Sequence, residues 1–166
     1  MHVLLLVAVF ASFVGMGFFV RHRYKTRKVF FENLLSFCDH LLIEISFQKN
    51  TIRKIIQTYG DSYGRHFREV LNGYQGLIDE KSDITRERMQ AFLEKQKLKS
   101  HESITVADFF YELGRHGSHQ ESSKILAKRQ TFDTFFNTAA TALRRDASIY
   151  FKVLILMGVA AVILLL

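Results

Sequence analysis

The chain reads as all-α, a cytoplasmic helical bundle with a long antiparallel stem, set between an N-terminal and a C-terminal transmembrane helix. Three observations predict this. Every Lys, Arg, Asp and Glu of the 166 residues lies between Arg21 and Lys152, so both ends are uncharged and apolar. The apolar residues between them recur at steps of three and four, the spacing of one helix face. No stretch alternates with the period of two that a half-buried strand requires.

Residues 3–20 form the first apolar run, 18 residues without a charge. At about 1.5 Å per residue such a helix spans roughly 27 Å, close to the hydrocarbon thickness of a bilayer. A cleaved signal peptide needs positive charge ahead of its apolar run, and here only Met1 and His2 precede it. The positive residues follow instead: Arg21, Arg23, Lys25, Arg27 and Lys28. Residues 153–166 form the second run, which is short at 14 residues. Extending it back to Ile149 makes a span if Lys152 reaches to the headgroups along its own aliphatic stem. The expected partition is a transmembrane helix over 1–20, a cytoplasmic domain over 21–148 and a second transmembrane helix over 149–166. The chain stops within the second span, so little is expected beyond the membrane.

The basic residues set the expected orientation. Five follow the first span within eight positions, and Arg144, Arg145 and Lys152 flank the second. An excess of Lys and Arg marks the cytoplasmic side. The centre of the chain is therefore expected in the cytoplasm, with both termini outside. The formal net charge of +7 has the same origin, since residues 21–28 supply +5 of it. Arg21, Arg23, Lys25, Arg27, Lys28 and Lys152 read as a membrane-interface cluster meeting lipid, not as a nucleic-acid surface. Cys38 stands alone, fits a reducing compartment, and reads as a small buried hydrophobe.

The soluble helices follow in order. A first helix, from about 25 to 47, continues out of the membrane with Phe30, Leu34, Phe37, Leu41 and Ile45 along one stripe. Asn50 or Thr51 caps a second helix holding Ile52, Ile55, Ile56 and Tyr59, which Gly60 ends. A third carries Tyr63, Phe67, Val70, Leu71 and Tyr74, with a turn expected at Gly73 and Gly76. Asp83 or Thr85 caps a fourth holding Met89, Phe92, Leu93 and Leu98. Residues 99–103 read as a polar loop. Residues 105–113 form a short helix that Gly114 and Gly117 stop. From about His119 one long helix runs into the membrane. Its seam is Ile125, Phe132, Phe136, Ala139, Leu143, Ala147 and Tyr150, close to coiled-coil rhythm. The two long helices are expected antiparallel, with the 16 phenylalanines supplying the core.

No catalytic constellation is recognisable: there is no nucleophile elbow and no phosphate-binding Gly-Lys-Ser/Thr loop. No cofactor is expected and the chain reads as non-enzymatic. Asp108, Glu112, His116 and His119 are the best arrangement for a metal, but the two glycines interrupt their helix. They support an alternative reading as a membrane-anchored metal-sensing or signalling protein. Gly114-Arg115-His116-Gly117 has the spacing of the nucleic-acid loop of KH domains, a fold that needs a sheet this sequence lacks. Glu44 sits in a helix otherwise lined by apolar residues. It is expected to cap the neighbouring helix or pair with a buried base.

Four features in order resemble the stage III sporulation protein AB family. They are the apolar span followed by basic residues; Leu41-Leu42-Ile43-Glu44-Ile45 leading into the break at 48–52; Leu113-Gly114-Arg115 with Gln120 after a polar turn; and the long last helix ending in apolar residues. Many members have proline at the break, and this chain has none. The resemblance implies that Glu44, Leu113, Gly114 and Gln120 are family motif positions. It implies a role in the apparatus linking mother cell and forespore, in the mother-cell membrane facing the forespore. It also implies a helical domain like the F-type platform of type II secretion machines. The implied partners are a secretion-type cytoplasmic ATPase and other membrane subunits; membrane lipids and a homo-oligomer are expected separately from the resemblance.

Overall fold

The computed structural model describes residues 2–48, 50–80, 84–113 and 118–165. Among the described residues the chain is helical, with no strand. The α-helices are α1 His2–Ile43, α2 Ile52–Tyr59, α3 Arg65–Asp79, α4 Arg86–Glu94, α5 Ser100–Glu112, α6 Ser118–Arg144 and α7 Asp146–Leu165. A π turn, Glu44–Gln48, follows α1, and a 3₁₀ turn, Gly60–Ser62, follows α2. The chain divides into two compact units. The first holds residues 1–28 and 137–166, and the second holds 29–136.

The second unit is built on phenylalanine. Phe30, Leu34, Phe37, Leu41 and Ile45 of the first stripe are all buried. Phe30 and Phe37 meet Phe67 of α3 at 5.4 and 5.8 Å between ring centroids. Phe37 stacks on Phe110 of α5 at 6.1 Å, Phe109 meets Phe132 of α6 at 5.3 Å, and Phe31 meets Phe135 at 5.5 Å. Edge-to-face and offset pairs of this kind each add about 0.5–1.5 kcal/mol beyond their buried area. In this unit α1 and α6 run in opposite chain directions, with Phe31 beside Phe135, Asp39 beside Arg129 and Ser46 beside Ser122.

Side-chain caps mark the starts of α2, α4 and α5. Thr51 accepts from the Lys54 N–H and Thr85 from the Arg88 N–H, so each threonine satisfies an orphan donor of its helix. Two expectations are corrected here. Residues 99–103 are not a loop: α5 begins at Ser100, where the Glu102 carboxylate accepts from the Lys99 N–H at 3.0 Å. That reach back to the residue preceding the helix gives a polar run a helical start. Gly73 and Gly76 do not make a turn either, since α3 passes through both to Asp79. A Cβ on Gly73 would come within 2.9 Å of the Phe92 ring, so this glycine lets α4 approach α3 closely. Asp83, Gly114 and Gly117 lie outside the described residues. Arg86 of α4 pairs with Asp108 of α5 at 2.7 Å and covers the Tyr111 ring, 5.1 Å from its centroid.

The first unit packs glycine against phenylalanine. Phe18 meets Phe151 edge-on at 5.4 Å between centroids. A Cβ on Gly17 would fall 2.7 Å from the Phe151 ring, and one on Gly158 would fall 3.1 Å from Phe13. Small residues that let two helices approach closely are how membrane helices associate without a hydrophobic driving force. These contacts also run in opposite chain directions. Outward-facing residues are large and apolar: Leu4, Phe18, Phe19, Leu156 and Leu164 are 58–86% exposed. The expected unbroken last helix has one interruption, at Arg145. The i to i−4 bonds nevertheless continue through it, from Arg145 N–H to the Thr141 carbonyl and from Ile149 N–H to the Arg145 carbonyl.

Candidate functional site

Two helices are long and apolar enough to cross a membrane, within Leu6–Ser46 and Gln120–Leu164. Only 6% and 11% of their most apolar windows is buried, which separates them from core helices of a soluble protein. Arg21, Arg23, Lys25 and Lys152 are exposed, Lys28 is half-buried, and Arg27 is buried at 6% exposure. The basic cluster is therefore divided: its first three members and Lys152 face outward, whereas Arg27 is held inside.

Glu44 opens the π turn that ends α1 and is buried at 4% exposure. A π turn places one extra residue in a helical turn and shifts the direction of the side chains that follow. The Glu44 carboxylate reaches Asn50, ahead of α2, and Tyr59, the last residue of α2. The Asn50 amide donates to Oε2 at 2.6 Å and the Tyr59 hydroxyl to Oε1 at 2.7 Å. The Asn50 backbone N–H closes the turn onto the Glu44 carbonyl. The hydrogen bond from Tyr59, and then that from Asn50, holds the Glu44 carboxyl below the ordinary carboxylate value. Burial opposes them, and Lys54 and His40 assist. The same bond raises Tyr59 above the usual phenol range.

The network extends. The His40 ring stacks on Tyr59 at 4.1 Å, and its Nδ1 lies 2.6 Å from the Tyr63 hydroxyl. Burial pushes the Tyr63 hydroxyl up as well. Glu44 thus neither caps α2, which Thr51 does, nor forms its close contacts with a basic side chain; its close partners are two neutral donors. Sequence reading named Glu44 but missed Tyr59, His40 and Tyr63 as its surroundings. The available signal was the polar tip of Tyr59, four residues after the buried Ile55 and so on a face that turns inward.

One turn earlier on α1, Asp39 takes a two-pronged ion pair from Arg129 of α6, with Nε to Oδ1 at 2.5 Å and Nη2 to Oδ2 at 3.1 Å. This geometry raises the Arg129 guanidinium above its ordinary value. The Asp39–Arg129 pair joins α1 to α6 within the second unit, and neither residue carried a sequence signal.

The remaining motif positions have separate settings. Leu113 is buried and ends α5, its N–H bonded to the Phe109 carbonyl; its own carbonyl accepts from the Tyr74 hydroxyl at 3.3 Å. That is a helix stop tied to α3. Gly114 lies outside the described residues. Gln120 is exposed on α6. Of the metal arrangement, Asp108 is engaged by Arg86, while His116 and the His119 side chain lie outside the described residues. Among the described residues no group of three potential ligands gathers.

No curated protein and no solved structure matches the chain. The family model for stage III sporulation protein AB matches residues 2–166. That match covers both apolar helices, the π turn with Glu44 and the end of α5, and the chain belongs to the stage III sporulation protein AB family.

Proposed function

We propose that this protein is a non-enzymatic membrane platform subunit of the sporulation channel between mother cell and forespore. It sits in the mother-cell membrane facing the forespore, crosses it twice, and keeps both termini outside. Its helical unit presents a cytoplasmic surface to a secretion-type ATPase and to other membrane subunits. The observation that carries this reading is the family match along the whole chain, which makes it a sporulation protein. Two further features support it. The chain has two helices apolar enough to span, with basic residues beside each. A 108-residue unit, 29–136, lies between them in sequence and has its own aromatic core.

The test is purification of the tagged full-length protein from sporulating cells in mild detergent. The reading expects the secretion-type ATPase and further membrane subunits to co-purify, and expects this to fail when the second unit is replaced by an unrelated helical bundle. Recovery of the protein free of the ATPase, with sporulation intact, would contradict it.

A further inference from the structure

The two units divide the charge completely. Of the 23 Lys and Arg residues, eight fall in the first unit: five within 21–28, then Arg144, Arg145 and Lys152. Of the 16 acidic residues, only Asp146 does. The first unit therefore carries the whole formal charge of +7, and the second, with 15 residues of each sign, carries zero.

The exposed part of that charge is also concentrated along the helix axes. The Phe18–Phe151 contact fixes a common level on α1 and α7. Arg21, Arg23 and Lys25 lie three to seven residues beyond it, about 4–11 Å along α1. Arg145 and Arg144 lie six and seven residues before Phe151, about 9–11 Å along in the same direction, because the two helices run oppositely. The helical bonding through Arg145 keeps that rise valid across the α6–α7 junction. All five side chains are exposed, and Lys152, also exposed, stands at the level of the ring contact itself. Arg21 and Lys25 share a face of α1, and Arg23 points to the other side.

Five cations stacked within a few ångströms of axis repel one another, and one carboxylate cannot balance them. Charges closer than the Debye length of about 8 Å are not screened away by physiological salt. Immediately beneath the cations begins the uncharged apolar run. In the two-span reading, the anions available at that height are headgroup phosphates.

We infer that Arg21, Arg23, Lys25, Arg144 and Arg145 form a collar that selects anionic phospholipid headgroups on the inner leaflet. Lys152 enters the collar from below. Arg27 is not part of it, being buried. The inference rests on the two-span reading, and goes beyond it in naming the lipid class and the residues that choose it.

The experiment uses the full-length protein reconstituted in phosphatidylcholine vesicles with spin-labelled lipid, comparing phosphatidylglycerol with phosphatidylcholine probes in the motionally restricted shell. The collar gives a preference of about threefold or more for the anionic probe at low salt. Molar salt brings the wild-type preference close to one. The combined substitution R21Q/R23Q/K25Q/R144Q/R145Q does the same, with insertion and helicity retained. The control R65Q/K95Q, in the second unit, leaves the preference unchanged. Wild-type protein that inserts but shows no preference overturns the collar and leaves the two-span reading standing. A preference that survives molar salt, or one that the control abolishes as fully as the collar substitutions do, also overturns it. Competition by millimolar inorganic phosphate or by RNA, erasing the preference, would assign the cations to a soluble anion instead. Protein extracted from the vesicles by alkaline carbonate would overturn the two-span reading and the collar with it.

Discussion

The Tyr59 hydroxyl reaches back fifteen residues to donate to Glu44 Oε1 at 2.7 Å, closing the π turn over α2. Two donors aimed at a buried carboxylate favour its ionised form, and both come from the segment immediately after it.

Glu44→Ala should therefore lower the thermal midpoint of the full-length protein in detergent, because it leaves Tyr59 and Asn50 as donors without their acceptor. Glu44→Gln should lower it less, since one amide oxygen still accepts one of the two bonds. Equal midpoints for wild type and the alanine variant would show that the network adds nothing.

The pH dependence follows from the direction of the Glu44 shift. Its carboxyl is held below the ordinary value in the folded state, so the unfolded chain takes up the proton first as pH falls. The stabilisation is complete above about pH 4.3, the unfolded value, and disappears as pH falls through the lowered folded value. Denaturation midpoints followed against pH should converge for wild type and Glu44→Gln in acid and separate above that range. Parallel curves across the whole range would contradict this.

Asp39 and Arg129 are partly exposed, so their two-pronged pair is worth less than a buried one. A double-mutant cycle with Asp39→Asn and Arg129→Gln should give a coupling of about 0.5–1 kcal/mol, reduced at high salt. Additive effects would mean that the pair does not hold α1 to α6.

Gly73→Ala offers a direct conflict between helix propensity and packing. In an open helix the change stabilises by about 1 kcal/mol. Here the new methyl meets the Phe92 ring at 2.9 Å. The single variant should gain nothing or lose stability, and Phe92→Leu beside it should restore the expected gain. A stabilised single variant would show that the ring moves aside freely.

Much of the second unit was legible because burial follows period. Four stripe residues of α1 and Ile45 of the π turn follow from their spacing alone, and so do Phe67, Val70 and Leu71 of α3. The threonine caps were readable because a side-chain oxygen three residues before a free N–H is a local relation. What failed depended on neighbours distant in sequence. Gly73 looked like a turn because the sequence does not show Phe92 lying against it. Residues 99–103 looked like a loop because the bond from Lys99 to Glu102, not their composition, starts α5. The Glu44 network is half legible: the acid is conspicuous, but its donors are Tyr59, which the spacing groups with apolar residues, and Asn50, which reads as a cap. Asp39 and Arg129, 90 residues apart, carried no local signal.

Under the proposed function the second unit meets a secretion-type ATPase in the cytoplasm. Its exposed apolar side chains Ile43, Ile104 and Leu126, each close to half exposed, are positions where a photo-crosslinking residue can be placed without entering the core. Irradiation of intact sporulating cells carrying such a residue should give an adduct with the ATPase from at least one of these positions, and none from a residue placed at Leu4 in the first apolar run. Adducts from Leu4 but from none of the three, or labelling of the second unit by a membrane-impermeant reagent from outside the cell, would contradict the account.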